Sequence, residues 1–334
     1  MANYARIELH LHLDGSLSVR WAYEKALQRK IIEKSCSFRD FYNMVFRDNT
    51  QPHSVSINKF DLMCDLLQTP EDLSEAAYDL SRRLYSLGIW YAEIRFASQQ
   101  HMKKGLKQKE ALLAVISGTK KAMKEVPITV QVIDCMMHKG TSALFNEPQN
   151  VETIEAVRDL RKDGACGIDL AGYENNCDFS EYASLFQYAK SLGIPCTVHA
   201  GEMGIGSHVI DALNWGVDRI GHGVNCIQKT EYLERVVSSR IPLELCVTSN
   251  VKRDMNYGNH AVLSLMEAGA VVTLNSDNMM FARTCCANEH FQMKMLGVTD
   301  QTLKQCAMNA VQAAFCDEDT KNRLKEKIEK EEHA

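Results

Sequence analysis

The feature that most constrains the fold is a repeated alternation of short apolar runs with helical stretches. Most of these runs are continuously apolar and rich in β-branched and aliphatic residues, as is typical of parallel strands covered by helices. Eight such runs occur, at 5–13, 90–97, 128–136, 167–171, 195–199, 218–221, 242–246 and 271–275. Eight βα units without a Pro/Gly/Ser-rich linker predict an α/β fold, namely a closed (β/α)8 barrel. We expect residues 1–334 to form one barrel domain.

The stretches between the strands carry helical patterns, and the first of them is unusually long. It runs from about residue 15 to residue 89, and its second part places apolar side chains at helical spacing. This stripe predicts a long helical insertion after strand one that packs against the core. Gly193 and Gly269 precede strands five and eight, where they suit the C-terminal ends of helices.

Composition limits the classes of partner. The net charge is −5 and no basic block stands out, which argues against a nucleic-acid or membrane surface. The start lacks a signal-peptide pattern, and no apolar stretch approaches a membrane span. The 12 cysteines are scattered and form no CxxC pair, so those within apolar runs, such as Cys135, Cys196 and Cys246, are interpreted as small buried hydrophobes. A reducing cytoplasm is the compartment we expect.

Histidines and an aspartate lie at the ends of several predicted strands. His10 and His12 are two residues apart on strand one and therefore point to the same face. His199 ends strand five, His222 follows strand six and Asp277 follows strand eight. Active sites of this fold gather at the C-terminal ends of the strands. The alternative, that these are only turn and capping residues, would have to explain every one of these placements.

This set of side chains predicts a metal centre. Three imidazole nitrogens and one carboxylate suit a single Zn²⁺, with a further position for a water molecule of lowered pKa. We predict His10, His12, His199 and Asp277 as its ligands. His138 follows strand three, but no second ligand pairs with it in the sequence. The remaining histidines are interpreted as surface or packing residues, with His208 the nearest of them to the site; they are His53, His101, His208, His260, His290 and His333.

Seven motifs in order along nearly the whole chain resemble the adenosine deaminase family, a branch of the metal-dependent amidohydrolases. They are ELHLHLDGS at 8–16, YAEIRFA at 91–97, DLAGYE at 169–174, HAGE at 199–202, RIGHG at 219–223, LELCVTSN at 243–250 and LNSDN at 274–278. The resemblance implies a (β/α)8 barrel and a zinc-dependent hydrolysis of adenosine, and of 2′-deoxyadenosine, to the inosine product and ammonia. It implies a small purine nucleoside as the binding partner.

The resemblance also implies roles for individual residues. Glu202 corresponds to the acid that protonates purine N1 as hydroxide adds to C6, and His222 to the residue that orients the hydroxide. Asp277 combines metal ligation with acceptance of the water proton. Asp14 corresponds to the residue that binds the ribose hydroxyls, and the backbone N–H of Gly172 to the donor for purine N3.

One departure from the family pattern concerns the site; two others, at Ala97-Ser98 and Val247, replace frequent prolines in loops. Where the family often has a second aspartate, which contacts purine N7, this chain has Asn278. N7 is an acceptor, and an amide can donate to it without first being protonated.

Three alternatives remain open. The first is a binuclear amidohydrolase, disfavoured because strand four ends without a bridging lysine. The second is a deaminase of adenine, of N6-modified adenine nucleotides or of another aminopurine; AMP would need cationic partners for its phosphate near Asp14, where the sequence nearby offers only Arg20. The third is a non-catalytic purine-binding descendant.

Overall fold

The computed structural model describes residues 5–46, 53–175, 178–251 and 260–330, with the backbone alone for 53–58. Parallel strands β1–β4 form one four-stranded sheet and β5–β8 form another. Backbone bridges from Ile168 to Cys196 and from Leu11 to Asp277 join the two sheets at both edges, so the barrel closes and the predicted (β/α)8 fold is confirmed. The strands are Arg6–His12, Ile89–Phe96, Thr129–His138, Ala165–Gly172, His199–Ala200, Ile220–His222, Pro242–Leu245 and Val271–Leu274.

Helices separate the strands, and α1 to α4 form the predicted insertion after β1. Helices α1 to α15 are Val19–Gln28, Phe38–Val45, His53–Leu66, Pro70–Ser86, Gln108–Met123, Glu147–Leu160, Ala183–Ser191, Ser207–Trp215, Thr230–Ser239, Val247–Asn250, Val262–Glu267, Met279–Ala282, Cys286–Met295, Asp300–Ala313 and Glu318–Lys330. Short 3-10 turns span Asp14–Ser16, Ser98–Gln100, Ala143–Asn146, Arg161–Asp163, Phe179–Tyr182 and Val224–Gln228.

Local sequence explains how α4 of the insertion begins and packs. The Thr69 hydroxyl accepts from the backbone N–H of Asp72 and Pro70 occupies the first turn, which is a strong start signal because that turn has no intrahelical acceptor for its N–H groups. Its apolar stripe, including Leu73 and Leu80, is completely buried. The insertion is therefore held against the barrel by burial of one helical face.

Strand five differs from its predicted bounds of 195–199, since β5 contains only His199 and Ala200. The backbone before it still follows its neighbours: the Thr197 N–H donates to Ile168 at 2.9 Å and the Gly221 N–H donates to Val198 at 2.8 Å. The segment before β5 thus pairs irregularly with its neighbouring strands, but it still places His199 at the rim formed by the C-terminal ends of the other strands. Within the described ranges, no helix is long and apolar enough to cross a membrane. That residues 1–334 form one domain stays a prediction.

Candidate active site

A pocket of about 310 Å³ opens at the C-terminal ends of the strands. Nearly all of the predicted site residues line it: His12, Asp14, Gly172, His199, Glu202, His222, Asp277 and Asn278. His10 is completely buried, and its Nε2 lies 3.7 Å from an Asp277 carboxylate oxygen. The structure therefore brings together residues that are separated by up to 268 positions in the chain.

The four predicted metal ligands converge on one point. His12 Nε2 lies 3.2 Å from His199 Nε2 and 3.4 Å from Asp277 Oδ1. Bond lengths of about 2.0–2.1 Å in a tetrahedral zinc site place neighbouring ligand atoms about 3.3 Å apart. These two separations are close to this value, and the 3.7 Å between His10 Nε2 and Asp277 Oδ1 is longer by about 0.4 Å, so the donor set fits Zn²⁺ after a small adjustment of His10.

Hydrogen bonds on the far side of two imidazoles turn their lone pairs toward this point. His10 Nδ1 lies 2.7 Å from Glu244 Oε2, and His199 Nδ1 lies 2.9 Å from Asp169 Oδ2. Because a carboxylate only accepts, each Nδ1 carries the proton and each neutral ring keeps a lone pair on Nε2. His10 Nε2 is buried and has no hydrogen-bond partner among the described residues. This is the state of a ligand nitrogen that a metal ion would satisfy.

Burial favours the neutral form of two of these histidines. It lowers the pKa of His12 to about 4, and burial together with Arg95 holds the pKa of His10 well below its usual range. For Asp277, burial would raise the pKa, but His12 and His10 hold that pKa below its usual range. Neutral imidazoles and an ionised carboxylate are the forms that bind metals at neutral pH.

His222 lies beside the cluster, with its donor atoms within 4.8 Å of those of His10, His199 and Asp277. Its surroundings differ from those of the ligands. His222 Nδ1 lies 3.1 Å from the Asn250 amide Nδ2 and 3.5 Å from its Oδ1. When the nearer Nδ2 donates to Nδ1, the ring proton resides on Nε2, which lies 3.8 Å from Glu202 Oε2. His222 therefore presents an N–H group to the pocket, whereas His10 and His199 present lone pairs.

Both His222 and Asp277 adopt left-handed backbone conformations, with φ of +61° and +56°. Such conformations are uncommon outside glycine and cluster at functional sites. They allow the backbone to turn sharply at the end of β6 and again after β8, so that the side chains of His222 and Asp277 both face the pocket.

A completely buried ionic network, for which the sequence predicts no role, lies beneath the predicted metal ligands. Arg95 donates to Asp169 and to Glu244 at 2.8 Å each, and Arg219 donates to Glu244 at 2.6 Å and to Glu93 at 2.5 Å. Burial would raise the pKa of Glu244, but Arg95 and Arg219 hold it well below its usual range. The network therefore keeps ionised the carboxylates that orient His10 and His199.

A signal for this network is present in the sequence. Glu93 and Arg95 are two residues apart on β2, as are His10 and His12 on β1. Charged side chains in that pattern on a barrel strand point inward together, and they require partners there. Their partners, however, come from β4, from β7 and from Arg219 just before β6, which the pattern alone does not reveal.

Glu174 positions the loop that carries Glu202. Its carboxylate accepts from the backbone N–H groups of Gly201, Glu202 and Met203 at 2.6, 3.0 and 3.0 Å. It also bonds His208 Nδ1 at 2.6 Å. His208 thus contacts Glu174, the residue that holds the Glu202 loop, and is not among the residues that line the pocket.

The substrate-contact candidates occupy different walls of the pocket. Asp14 is buried, and Gly172 has φ of +113°, a conformation that only glycine adopts readily. Asn278 Nδ2 donates to Asp277 Oδ1 at 2.7 Å. A Cβ on Gly15 would lie 1.6 Å from Asn278 Oδ1, so glycine at position 15 is what leaves room for this amide.

The remaining histidines whose side chains are described are buried, as packing residues are. They are His101, His138, His208, His260 and His290, and of these only His138 is in the described pocket lining. Burial lowers the pKa of His138 to about 3. His333 and the side chain of His53 lie outside the described residues. Eleven cysteines are described and all are free, including the buried Cys135, Cys196 and Cys246.

Comparison with known proteins identifies relatives over almost the entire chain. The profile of the adenosine deaminase family matches residues 5–331. An adenosine deaminase of Haemophilus ducreyi is 33% identical over 97% of this chain and 95% of its own length. One of Clostridium botulinum is 32% identical, over 97% and 98%.

Solved structures with lower identity share the fold. An adenine deaminase from Arthrobacter aurescens has a TM-score of 0.86 at 22% identity, covering 99% of this chain and 100% of its own. An Arabidopsis N6-mAMP deaminase has a TM-score of 0.87 at 23% identity, over 98% of each chain. A Burkholderia ambifaria amidohydrolase with bound zinc has a TM-score of 0.88 at 21% identity, over 99% and 91%. At these identities the likeness concerns the barrel architecture.

Proposed function

The chain belongs to the adenosine deaminase family and is a hydrolase that deaminates adenosine, and from this premise we propose that it acts through one Zn²⁺ and accepts 2′-deoxyadenosine as well. The observation that carries the proposal is the convergence of three imidazoles and a carboxylate in the same pocket as Glu202. We place the reaction in a reducing cytoplasm, in keeping with the free cysteines.

In this proposal His10, His12, His199 and Asp277 hold the zinc ion. Their separations match the edges of a zinc tetrahedron, and the Nδ1 contacts of His10 and His199 leave Nε2 as the ligand atom. When bound, zinc lowers the pKa of a water molecule and so supplies a nucleophile at neutral pH. The absence of a lysine at the end of β4 (Ala165–Gly172) supports one ion rather than a bridged pair.

Glu202 acts as the general acid. Its side chain is 16% exposed at the pocket wall. The Glu174 carboxylate holds its loop by hydrogen bonds from three backbone N–H groups. It donates a proton to purine N1 as the oxygen adds to C6, which relieves the negative charge that would otherwise develop on the ring. Fixing this loop by three backbone hydrogen bonds keeps the carboxyl group within a narrow range of positions.

His222 and Asp277 act on the attacking oxygen from the other side. His222 carries a proton on Nε2 and can donate a hydrogen bond to that oxygen. Asp277, which is ionised, accepts the water proton and passes it to the leaving amino group. As the C6–N bond breaks and ammonia departs, the hydroxyl group on C6 becomes the carbonyl, and its proton restores the protonated form of Glu202. The short contact from the Ser249 hydroxyl to Asp277 holds the carboxylate in place.

Recognition of the nucleoside is assigned to three further groups. Asp14 accepts hydrogen bonds from the ribose hydroxyls, the Gly172 N–H donates to N3, and the Asn278 amide donates to N7. An amide has two N–H groups, and Asn278 uses one toward Asp277. The other remains available for the purine.

The pocket supports a nucleoside rather than a nucleotide. Lys139 is the only lysine or arginine in the described pocket lining, and burial lowers its pKa. Arg20, the cation nearest to Asp14 in sequence, forms an exposed ion pair with Glu24 at 2.9 Å. A 5′-phosphate would therefore meet the Asp14 carboxylate with little compensating charge.

The test is incubation of the purified protein with adenosine, 2′-deoxyadenosine, adenine and AMP, with release of ammonia as the readout. We expect turnover of the two nucleosides and little turnover of adenine or AMP. Preferential turnover of AMP, lost in Lys139→Ala, would show that the substrate is a nucleotide. Failure to release ammonia from either nucleoside would contradict the proposal.

A further inference from the structure

A second cluster of ligand-type side chains lies behind the pocket wall. Asp14 faces the pocket, while Cys64 on α3 and His101 after β2 approach it from behind. All three residues are buried, with exposed fractions of 1%, 3% and 0%. Cys64 Sγ lies 3.5 Å and His101 Nε2 lies 3.6 Å from Asp14 Oδ2. All three donor atoms lie within 4.8 Å of one another.

Two atoms of this cluster have no hydrogen-bond partner among the described residues. His101 Nδ1 lies 2.9 Å from the carbonyl oxygen of Leu67, and a carbonyl only accepts, so Nδ1 carries a proton. Nε2, the other ring nitrogen, faces the Asp14 carboxylate oxygen Oδ2. His101 Nε2 and Asp14 Oδ1 are both buried and unpartnered, a state that is rare in native proteins unless a ligand satisfies it.

We propose that Asp14 Oδ2, Cys64 Sγ and His101 Nε2 form a second site for a divalent cation of the Zn²⁺ and Cd²⁺ class, and that its occupancy inhibits the enzyme. Thiolate, imidazole and carboxylate are a donor set that such cations prefer. Zinc bond lengths of about 2.3 Å to sulfur and 2.0 Å to nitrogen or oxygen correspond to tetrahedral edges of about 3.5 Å and 3.3 Å. The two observed separations therefore need little adjustment.

Charge and access are consistent with this site. Burial raises the pKa of the Cys64 thiol well above its usual range, so binding replaces the S–H bond by an S–metal bond and releases one proton to solvent. Thiolate and carboxylate then balance the two positive charges of the ion. Gln100 Oε1 lies 3.0 Å from Cys64 Sγ, so it can serve as the fourth ligand. Gln100 also lines the pocket, as Asp14 does, so the cation can reach the site from the pocket.

Inhibition follows from the assignment of Asp14 to the ribose hydroxyls and so rests on the proposed function. A cation that engages Asp14 Oδ2 removes the acceptor for these hydroxyls. The effect is on substrate binding: the apparent KM for adenosine rises with cation concentration while kcat stays constant. The cation-binding site itself is independent of any activity.

The test uses the zinc-loaded protein, freed of loosely bound ions on a chelating resin and titrated with Cd²⁺. We expect one added equivalent, a thiolate-to-cadmium charge-transfer absorption in the ultraviolet, one proton released and no loss of zinc. Cys64→Ser keeps a hydroxyl donor for Asp14 and should lose the absorption and weaken cadmium binding by at least about tenfold. His101→Gln should weaken binding likewise, which keeps the test decisive if one variant fails to fold.

Cys135→Ser is the matched control, because Cys135 is the other cysteine in the described pocket region and its thiol contacts Asp169 at 3.7 Å. It should retain the absorption. Absence of an added equivalent, an absorption unchanged in Cys64→Ser, or release of zinc in proportion to the cadmium bound would overturn the proposed site. Failure of the proposed function would instead appear as absent turnover in metal-free buffer, with the cadmium absorption unaffected.

Discussion

Replacement of Glu244 by glutamine would separate the two roles of the buried ionic network. Glu244 is completely buried and accepts from four groups: His10 Nδ1 at 2.7 Å, Arg95 Nη2 at 2.8 Å, Arg219 Nε at 2.6 Å and Thr197 Oγ1 at 2.9 Å. The substitution preserves shape, but it removes the negative charge between two buried guanidinium groups. The glutamine amide nitrogen would also face N–H or O–H donors, and an amide nitrogen cannot accept a hydrogen bond from them.

The magnitude follows from these contacts. Removing one partner of a buried ion pair costs about 3–5 kcal/mol, because the other charge stays buried without compensation. Glu244→Gln should therefore lower the free energy of unfolding of the zinc-free protein by about that amount. Loss of the carboxylate behind His10 should in addition weaken zinc binding by about 10- to 100-fold, as is usual for a residue that orients a ligand.

Glu93→Gln provides the control within the same network. Glu93 accepts from Arg219 at 2.5 Å, from the Tyr91 hydroxyl at 2.7 Å and from the Phe315 N–H at 2.5 Å, and none of its hydrogen bonds within the described part of the chain goes to a histidine. It should lower stability to a similar extent and leave zinc affinity unchanged. Denaturant unfolding of the zinc-free proteins measures the first quantity, and competition with a chromophoric chelator measures the second. Should Glu244→Gln not fold, Thr197→Val removes a single donor to Glu244 and should show a smaller effect on stability.

Equal zinc affinities for wild type and Glu244→Gln would refute the reasoning, since the carboxylate would then not be orienting a ligand. An equal loss of zinc affinity in Glu93→Gln would refute it as well, because the effect would then arise from general loosening of the barrel.

Four further outcomes are expected. Glu202→Gln should bind adenosine and lose about 10²–10⁴ in turnover, measured by ammonia release; near-full activity would exclude Glu202 as the proton donor. Protein treated with the chelating resin should contain one zinc ion per chain by elemental analysis. A second zinc ion per chain that is still present in Cys64→Ser, which lacks the thiol of the proposed second site, would contradict a mononuclear active site. Burial raises the pKa of Glu8 from 4.5 to about 8. Between these two pH values, folding is therefore accompanied by uptake of a proton by Glu8. The contribution of Glu8 to the free energy of unfolding is complete below pH 4.5 and falls by roughly 5 kcal/mol as the pH rises to 8. Unfolding of Glu8→Gln across this range should lack that slope, and an unchanged slope would assign it to other groups. Asn278→Asp should weaken adenosine binding at neutral pH, because it places a second carboxylate beside Asp277; an unchanged KM would mean that the amide is not required for N7.

Much of the architecture could be predicted from local patterns. Continuous apolar runs between helical stretches specify parallel strands, and parallel strands in a closed barrel place all of their C-terminal ends on one rim. The two-residue periodicity of β1 turns His10 and His12 to the same face. These regularities depend on neighbours in the chain, so the barrel, the insertion and the grouping of His10, His12, His199, His222 and Asp277 were accessible from the sequence.

Other properties depend on contacts between distant segments. Which nitrogen of each imidazole faces the metal site is set by Glu244, Asp169 and Asn250, which arrive from other strands and from α10. These contacts distinguish His222, with its N–H toward the pocket, from the lone pairs of His10 and His199.

The cluster around Asp14 is likewise a product of tertiary structure. Cys64 is 50 positions from Asp14, and the insertion and the turn after β2 bring it and His101 to the carboxylate. By itself, the sequence determined the barrel and the residue types at its rim, because periodicity and strand order act locally. Only the tertiary structure decided the hydrogen-bond partners of the imidazoles and the grouping of Asp14, Cys64 and His101, because these depend on side-chain distances of a few ångströms across the closed barrel.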